Sequence, residues 1–372
     1  MTVGDRSRGP IFIVGVARSG TTLLRYMLCS HPNLFVPPES NFIPRFFRTR
    51  PTELLSRESA CRIVEQISEY WTFWRDWREE RLDPDEFVDG LPTLTPASFV
   101  DGLYGRYARQ HGAVRWGDKS TIYAGWIDLF VEMFPTCQII HIVRDPRDVT
   151  ASSLDAYSGP RFFFMDPYYA ARMWRNRIGA GLAAGRRLPP DRYHEIRYED
   201  LTQDPEGRVR ELCEFLGEDF HPAMLDPQAE ALKHYHRFGI HDRVRGQVTT
   251  ARAGRWRSDL SPANQRLVQR LTQDLLPEFG YPVEDLGRTG PAERLRAAAL
   301  GAKFEIVNLA RSLLRAIGIF NPARLLMSLP RRRPSVGAPL DAAPSGPSHE
   351  AGSDGEPASV DVAAPVAQTE RR

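Results

Sequence analysis

The chain has 372 residues, 42% of them apolar, and its 49 basic and 47 acidic side chains leave a formal charge of +2. That composition supports a large buried core and excludes a dedicated nucleic-acid binder, which carries a strong basic excess. Cys29, Cys61, Cys137 and Cys213 stand apart with no C-x-x-C pair, which excludes a disulfide framework and a cysteine zinc site. The opening "MTVGDRSRGP" lacks the apolar centre of a signal peptide, and no apolar run approaches the roughly 18 residues of a bilayer span. The chain is therefore expected to be cytoplasmic.

Ile11–Val16 (IFIVGV) is a continuous, β-branched apolar run between Pro10 and a glycine loop, the pattern of a strand buried on both faces. The stretch GVARSGTTLLR that follows keeps Gly15 and Gly20 at the spacing of the phosphate loop G-x-x-x-x-G-K-[ST]. Thr21 stands in the place of the lysine, Thr22 follows it, and Arg18 sits inside the loop. Backbone amides of such a turn at a helix N-terminus form a concave anion site, to which the two threonines add hydroxyls. A triphosphate–metal complex would lose its main protein counter-charge here, so the loop predicts a phosphate held without Mg²⁺. TTLLRYMLCSHP predicts a helix closed by His31 and Pro32, and HPNLFVPP a short strand that brings Glu39 beside the loop.

Thr52 to Gln110 is helical and aromatic. Trp71, Trp74 and Trp77 recur every three residues along one helix face, either a packed face or lid, or a wall for an acceptor. Gln138–Pro146 (QIIHIVRDP) repeats the strand–turn format and leads into a helix through RDVTASSLDAY. Arg144 closes that strand and Ser152 falls on the second turn of a helix beginning near Pro146, so both can face one small anion; an arginine fork suits phosphate. The alternative for this motif is a local ion pair and cap among Arg144, Asp145 and Asp148. Ser158–Tyr169 (SGPRFFFMDPYY) is an aromatic loop and a second candidate for acceptor contact. Tyr193–Leu201 (YHEIRYEDL), followed by PEGRVRELCEFLG, is a third strand–helix unit.

Strands alternating with helices make an α/β domain with a mostly parallel sheet. Ligands gather beyond the carboxyl ends of such strands, where Gly15–Thr22, Arg144 and Tyr198 lie. Two anion sites on two loops fit one nucleotide with two phosphate clusters. His141, inside an apolar strand, is expected to be a hydrogen-bonded core residue. His234, His236 and His241 lack persuasive metal spacing and are expected to cover the acceptor site.

Leu300, Phe304, Val307, Leu314 and Ile317 keep helical spacing beside Lys303, Arg311 and Arg315, and nine basic residues face two acidic ones between Pro291 and Arg333. Such a basic amphipathic helix lies peripherally on the inner membrane face, or packs on the core domain, or pairs two subunits as a homodimer. The chain is expected to divide into a domain over 1–288 with an insertion at 52–110, a helical extension over 289–330, and a disordered Pro/Ala/Ser-rich tail over 331–372.

Together GVARSGTTLLRYML, SHP, PPES, WGDKS, FPTCQIIHIVRDPRDVTASS, RYEDL, CEFLG and GRWR, in this order from Ile11 to Trp256, resemble the 3′-phosphoadenosine-5′-phosphosulfate-dependent sulfotransferases. The likeness is strongest to the bacterial enzymes and their tyrosylprotein-sulfotransferase-like relatives. It implies a P-loop-NTPase-like three-layer sandwich with helical insertions and C-terminal helices. It implies that Arg18, Ser19, Gly20, Thr21 and Thr22 hold the 5′-phosphosulfate, that Arg144 and Ser152 hold the 3′-phosphate, and that Tyr198 meets the adenine. Arg255 resembles the late clamp over the 3′-phosphate, with Arg252 and Arg257 as alternatives, since this region departs from the R-K-G form of the cytosolic animal enzymes. Lys119 matches the family's strand-end lysine, and Glu39 the acidic residue that serves some relatives as general base, because Thr121 stands where the animal enzymes carry histidine. The implied reaction is metal-independent sulfuryl transfer to a lipid, glycolipid, carbohydrate or peptide hydroxyl. A nucleotide kinase with a degenerate loop and a nucleotide-sensing scaffold are the alternatives.

Overall fold

In the computed structural model the described residues are 9–68, 82–157, 162–228 and 249–316. Trp71, Trp74, Trp77, His234, His236, His241 and the segment 331–372 lie outside them. Five strands, β1 (Ile11–Gly15), β2 (Leu34–Phe35), β3 (Arg115–Ser120), β4 (Gln138–Val143) and β5 (Tyr193–Arg197), form one sheet in the order β2-β3-β1-β4-β5. Every pairing is parallel, with Ile11 opposite Gly117 on one side and Gln138 on the other.

Helices cover both faces, as a parallel sheet requires. In chain order they are α1 (Thr21–Cys29), α2 (Ile43–Phe47), α3 (Arg57–Ser68), α4 (Pro84–Asp89), α5 (Pro96–Gln110), α6 (Ile127–Met133) and α7 (Pro146–Ala156). They continue as α8 (Pro167–Gly185), α9 (Tyr198–Gln203), α10 (Pro205–Leu216), α11 (Trp256–Asp259), α12 (Pro262–Thr272) and α13 (Pro291–Ala316). Strand alternation divides the core. Phe12 and Val14 point to the layer that holds α3, α5 and α6, while Ile11 and Ile13 point to the layer of α1 and α10. The result is the three-layer, P-loop-NTPase-like α/β sandwich. Among the described residues no helix is long and apolar enough to cross a membrane.

The strand over Arg115–Ser120 has no apolar run, yet all six of its residues are buried. Tertiary contacts meet most of its polar groups, Asp118 Oδ1 being left without a partner among the described residues. Arg115 donates to the carbonyls of Gly9 and Leu216, both at 2.9 Å, and to Gln138 Oε1 at 2.5 Å. The Asp118 carboxylate accepts from the Tyr104 and Tyr123 hydroxyls at 2.6 and 2.8 Å. A buried charge persists when it is paired and hydrogen-bonded, and that is how a polar hexapeptide becomes an interior strand. His141 behaves as a core residue: its Nδ1 meets the Tyr193 hydroxyl at 2.6 Å, and burial pulls its pKa down to about 3.

Candidate functional site

Each strand ends in a residue singled out from the sequence, in spatial order across the sheet. Beyond β2 stands Glu39, near the end of β3 Lys119, after β1 the loop from Val16 to Gly20, after β4 Arg144, and after β5 Tyr198. The loop turns sharply. Ser19 N–H bonds back to the Val16 carbonyl at 3.1 Å, and Arg18 and Gly20 both take left-handed backbone angles, φ 73° and 91°. Gly20 is required twice over, since a Cβ there would also lie 2.4 Å from the Tyr198 ring. No side chain caps α1, so its first amides face the loop's concavity uncovered. The buried Ser19 Oγ has no hydrogen-bond partner, which fits a loop shaped around an anion.

Arg144 is 6% exposed and ties three pieces together. Its guanidinium donates to the Arg18 carbonyl at 2.9 Å and to the Arg252 carbonyl at 2.6 Å, and stacks over the Tyr198 ring at 4.5 Å. Arg18 Nε donates to Ser152 Oγ at 3.1 Å, so the loop and α7 meet directly. A cleft of about 380 Å³ opens here, lined by Arg144, Ser152, Arg252, Arg255, Asp155 and Asp259 among others. Arg255 pairs with Asp259 at 3.0 Å, whereas Arg257 turns away to Glu284 and to the Trp256 ring. Of the three late arginines, Arg252 and Arg255 thus line the cleft.

The expected local cap is present as well, without removing Arg144 from the site. Asp145 caps α7 and pairs with Arg147 at 2.7 Å. Asp148 reaches further along the chain. Its two oxygens accept from Gly254 N–H at 2.7 Å and Trp256 N–H at 2.9 Å, pinning the GRWR turn beside the cleft.

At the other end of the row, Glu39 Oε1 lies 3.1 Å from Lys119 Nζ and accepts from Thr121 N–H at 3.1 Å. Burial pushes the Glu39 carboxyl up. The Lys119 charge and hydrogen bond, the Thr121 amide and the Arg177 charge outweigh burial and hold it below its usual 4.5. The Glu39 side chain nevertheless keeps 30% of its surface open. Lys119 therefore pairs with Glu39. Next in the chain, Ser40 bonds the Tyr104 hydroxyl at 2.7 Å above Asp118, whose pKa burial raises to about 6.

Two residues near this centre carry no mark in the sequence. Tyr157, at the end of α7, is held high by burial, with the Arg18 charge opposing and that of Glu39 adding. Arg177 on α8 is held low by burial, while the charges of Tyr169, Glu39 and Tyr157 draw it back up. Asp148, in the first turn of α7, reads in the sequence as part of a local ion pair and cap, but its partners lie more than a hundred residues away.

These features have close parallels. The model of the sulfotransferase family matches residues 10–222. The omega-hydroxy-beta-dihydromenaquinone-9 sulfotransferase of Mycobacterium bovis is 34% identical over 249 residues, 56% of this chain and 62% of that protein. The protein-tyrosine sulfotransferase of Drosophila melanogaster is 26% identical over 224 residues, 59% of this chain and 40% of that protein. The chain thus spans less than two thirds of either. The sulfotransferase domain of the Synechococcus PCC 7002 olefin synthase superposes with a TM-score of 0.50 at 28% identity, over 74% of this chain and 96% of that one. A family match over more than half the chain, on a sheet whose strand ends carry the expected residues in order, makes this protein a member of the sulfotransferase family.

Proposed function

We propose that the protein moves a sulfuryl group from 3′-phosphoadenosine-5′-phosphosulfate to an acceptor hydroxyl, with Glu39 as general base and without a metal. The observation that carries this reading is the row of strand ends: an anion loop in the middle, a cationic cleft on one side and a carboxylate–lysine pair on the other. The loop amides, Ser19, Thr21 and Thr22 hold the 5′-phosphosulfate, and the unpartnered Ser19 hydroxyl supports that fit. Ser152, Arg144, Arg252 and Arg255 surround the 3′-phosphate, and Tyr198 borders the adenine.

In the transfer the acceptor O–H attacks sulfur in line. The new O–S bond forms as the bridge from sulfur to the 5′-phosphate oxygen breaks, and the proton passes to a Glu39 oxygen. Adenosine 3′,5′-bisphosphate leaves carrying the charge. Lys119 exchanges Glu39 for the sulfuryl oxygens when donor enters, which frees the base and places a cation where charge develops. Arg18 supplies the second cation. The acceptor is an alcohol, carbohydrate hydroxyl or tyrosine; relatives named for a hydroxylated quinone and for protein tyrosine support either kind.

A thermal-shift comparison of adenosine 3′,5′-bisphosphate with ATP–Mg²⁺ tests the donor class. At a hundred times its dissociation constant a ligand stabilises the fold by about 2.7 kcal/mol. Stabilisation by the bisphosphate in the presence of a chelator is the expected result. A response to ATP–Mg²⁺ alone would replace this reading with a kinase.

A further inference from the structure

Among the described residues, the long helix α13 is anchored by one side only. Phe304, 4% exposed, packs against the Tyr168 and Tyr169 rings at 5.9 and 5.5 Å. Lys303 Nζ reaches Asp166 at 3.0 Å and the Phe163 carbonyl at 2.8 Å, and Arg311 stacks over Phe164 at 4.5 Å. These contacts fix the helix's rotation. The opposite side then faces outward with Leu295, Ile306, Leu309 and Leu313, which are 74%, 67%, 62% and 59% exposed. Their spacing keeps them on one stripe about five turns long, and exposed Arg294 and Arg296 flank its start.

We propose that this stripe docks on an anionic phospholipid surface. Four large aliphatic side chains held outward on an anchored helix form a continuous apolar face of the kind that seats in the headgroup–acyl boundary. Charge selects the occupant. From Pro291 to Arg333 nine basic residues stand against two acidic ones; Lys303 and Arg311 among them are committed to the core contacts, and the largely apolar sequence after Ala316 adds Arg324 and ends in Arg331–Arg333. A second copy laid on the stripe would oppose two such basic surpluses, whereas an anionic bilayer complements them.

The test is sedimentation of the full chain with phosphatidylglycerol–phosphatidylcholine vesicles and with phosphatidylcholine vesicles alone. It measures partitioning and stands whether or not the transfer reading holds. The wild type is expected to sediment with the anionic vesicles and to be released by salt. The double variant Ile306→Asp/Leu309→Asp is expected to partition about tenfold more weakly or worse, with an unchanged thermal midpoint, because both residues are exposed. Ile306→Ser/Leu309→Ser should show the same loss without adding negative charge. Wild-type protein left in the supernatant, or aspartate and serine variants that bind like wild type, would overturn the proposal. So would a dimer in sedimentation equilibrium that the serine variant dissolves.

Discussion

Around the ends of β4 and β5 the polar side chains are committed to fixed backbone groups. Arg144 holds the carbonyls of Arg18 and Arg252, Asp148 holds the amides of Gly254 and Trp256, and Trp174 Nε1 donates to the Arg144 carbonyl at 2.9 Å. Around β2 and β3, Glu39 and Lys119 hold mainly each other, with one edge open. The first region is preorganised, so an anion entering it meets dipoles already in place. The second is an ion pair, Glu39 with Lys119, whose members exchange partners in the proposed transfer. The proposed reaction, with one constant donor and one proton transfer, draws on both kinds of construction.

The largest effect should come from breaking the second region. Glu39→Ala is expected to lower kcat by about 10²- to 10⁴-fold, the usual worth of a general base, with bisphosphate affinity unchanged by titration calorimetry. Weaker bisphosphate binding would place Glu39 on the donor side of the comparison. The acid limb of the pH profile sharpens the same point. The base works ionised, and its pKa lies below 4.5, so kcat/KM should fall only as pH drops beneath that value. Lys119→Met removes the main lowering influence and leaves burial, so its acid limb should move upward in pH; an unmoved limb would mean another group titrates.

Arg144→Ala should weaken the bisphosphate about a hundredfold, since it removes charge-assisted bonds and frees two carbonyl ties. Asp148→Ala comes next. It strands the Gly254 and Trp256 amides at a cost of about 1–3 kcal/mol of stability, read as a lower Tm. Donor affinity should drop about tenfold while kcat at saturating donor holds; a fall in kcat alone would contradict its role as a support for the cleft. Smallest is Arg257→Ala. Its exposed pair with Glu284 lies off the cleft, and bisphosphate affinity should change less than about threefold. A larger loss would move the clamp from Arg252 and Arg255 to Arg257.

Much of this was legible because the relevant signals are local. The glycine spacing of the loop, the apolar strands and the Arg144–Ser152 interval depend on neighbouring residues, and in the structure the loop meets Ser152 where Arg144 and Ser152 line one cleft. What escaped depends on distant pairing. RWGDKS reads as polar until Gly9, Leu216 and Gln138 come to satisfy Arg115. Asp148 looks like a helix-start acid until the turn at Gly254 folds over it. Arg177 lies in WRNRIG with nothing to distinguish it from a solvated helix arginine. In α13 the sequence set Leu300, Phe304 and Val307 on one face, which is the less exposed side of the helix, but it left unmarked the exposed stripe through Leu295, Ile306, Leu309 and Leu313.

The sheet order carries a consequence for how the molecule is made. The first strand of the chain is the middle strand of the sheet, and Ile11 pairs only with Gly117 and Gln138. While the protein is being synthesised, β1 therefore waits unpaired, an apolar edge on both sides, until β3 and β4 have emerged. Such non-local pairing folds slowly and leaves hydrophobic strand exposed to aggregation. The loop of the proposed donor site hangs from that strand, so it takes shape only after residues 138–143 dock.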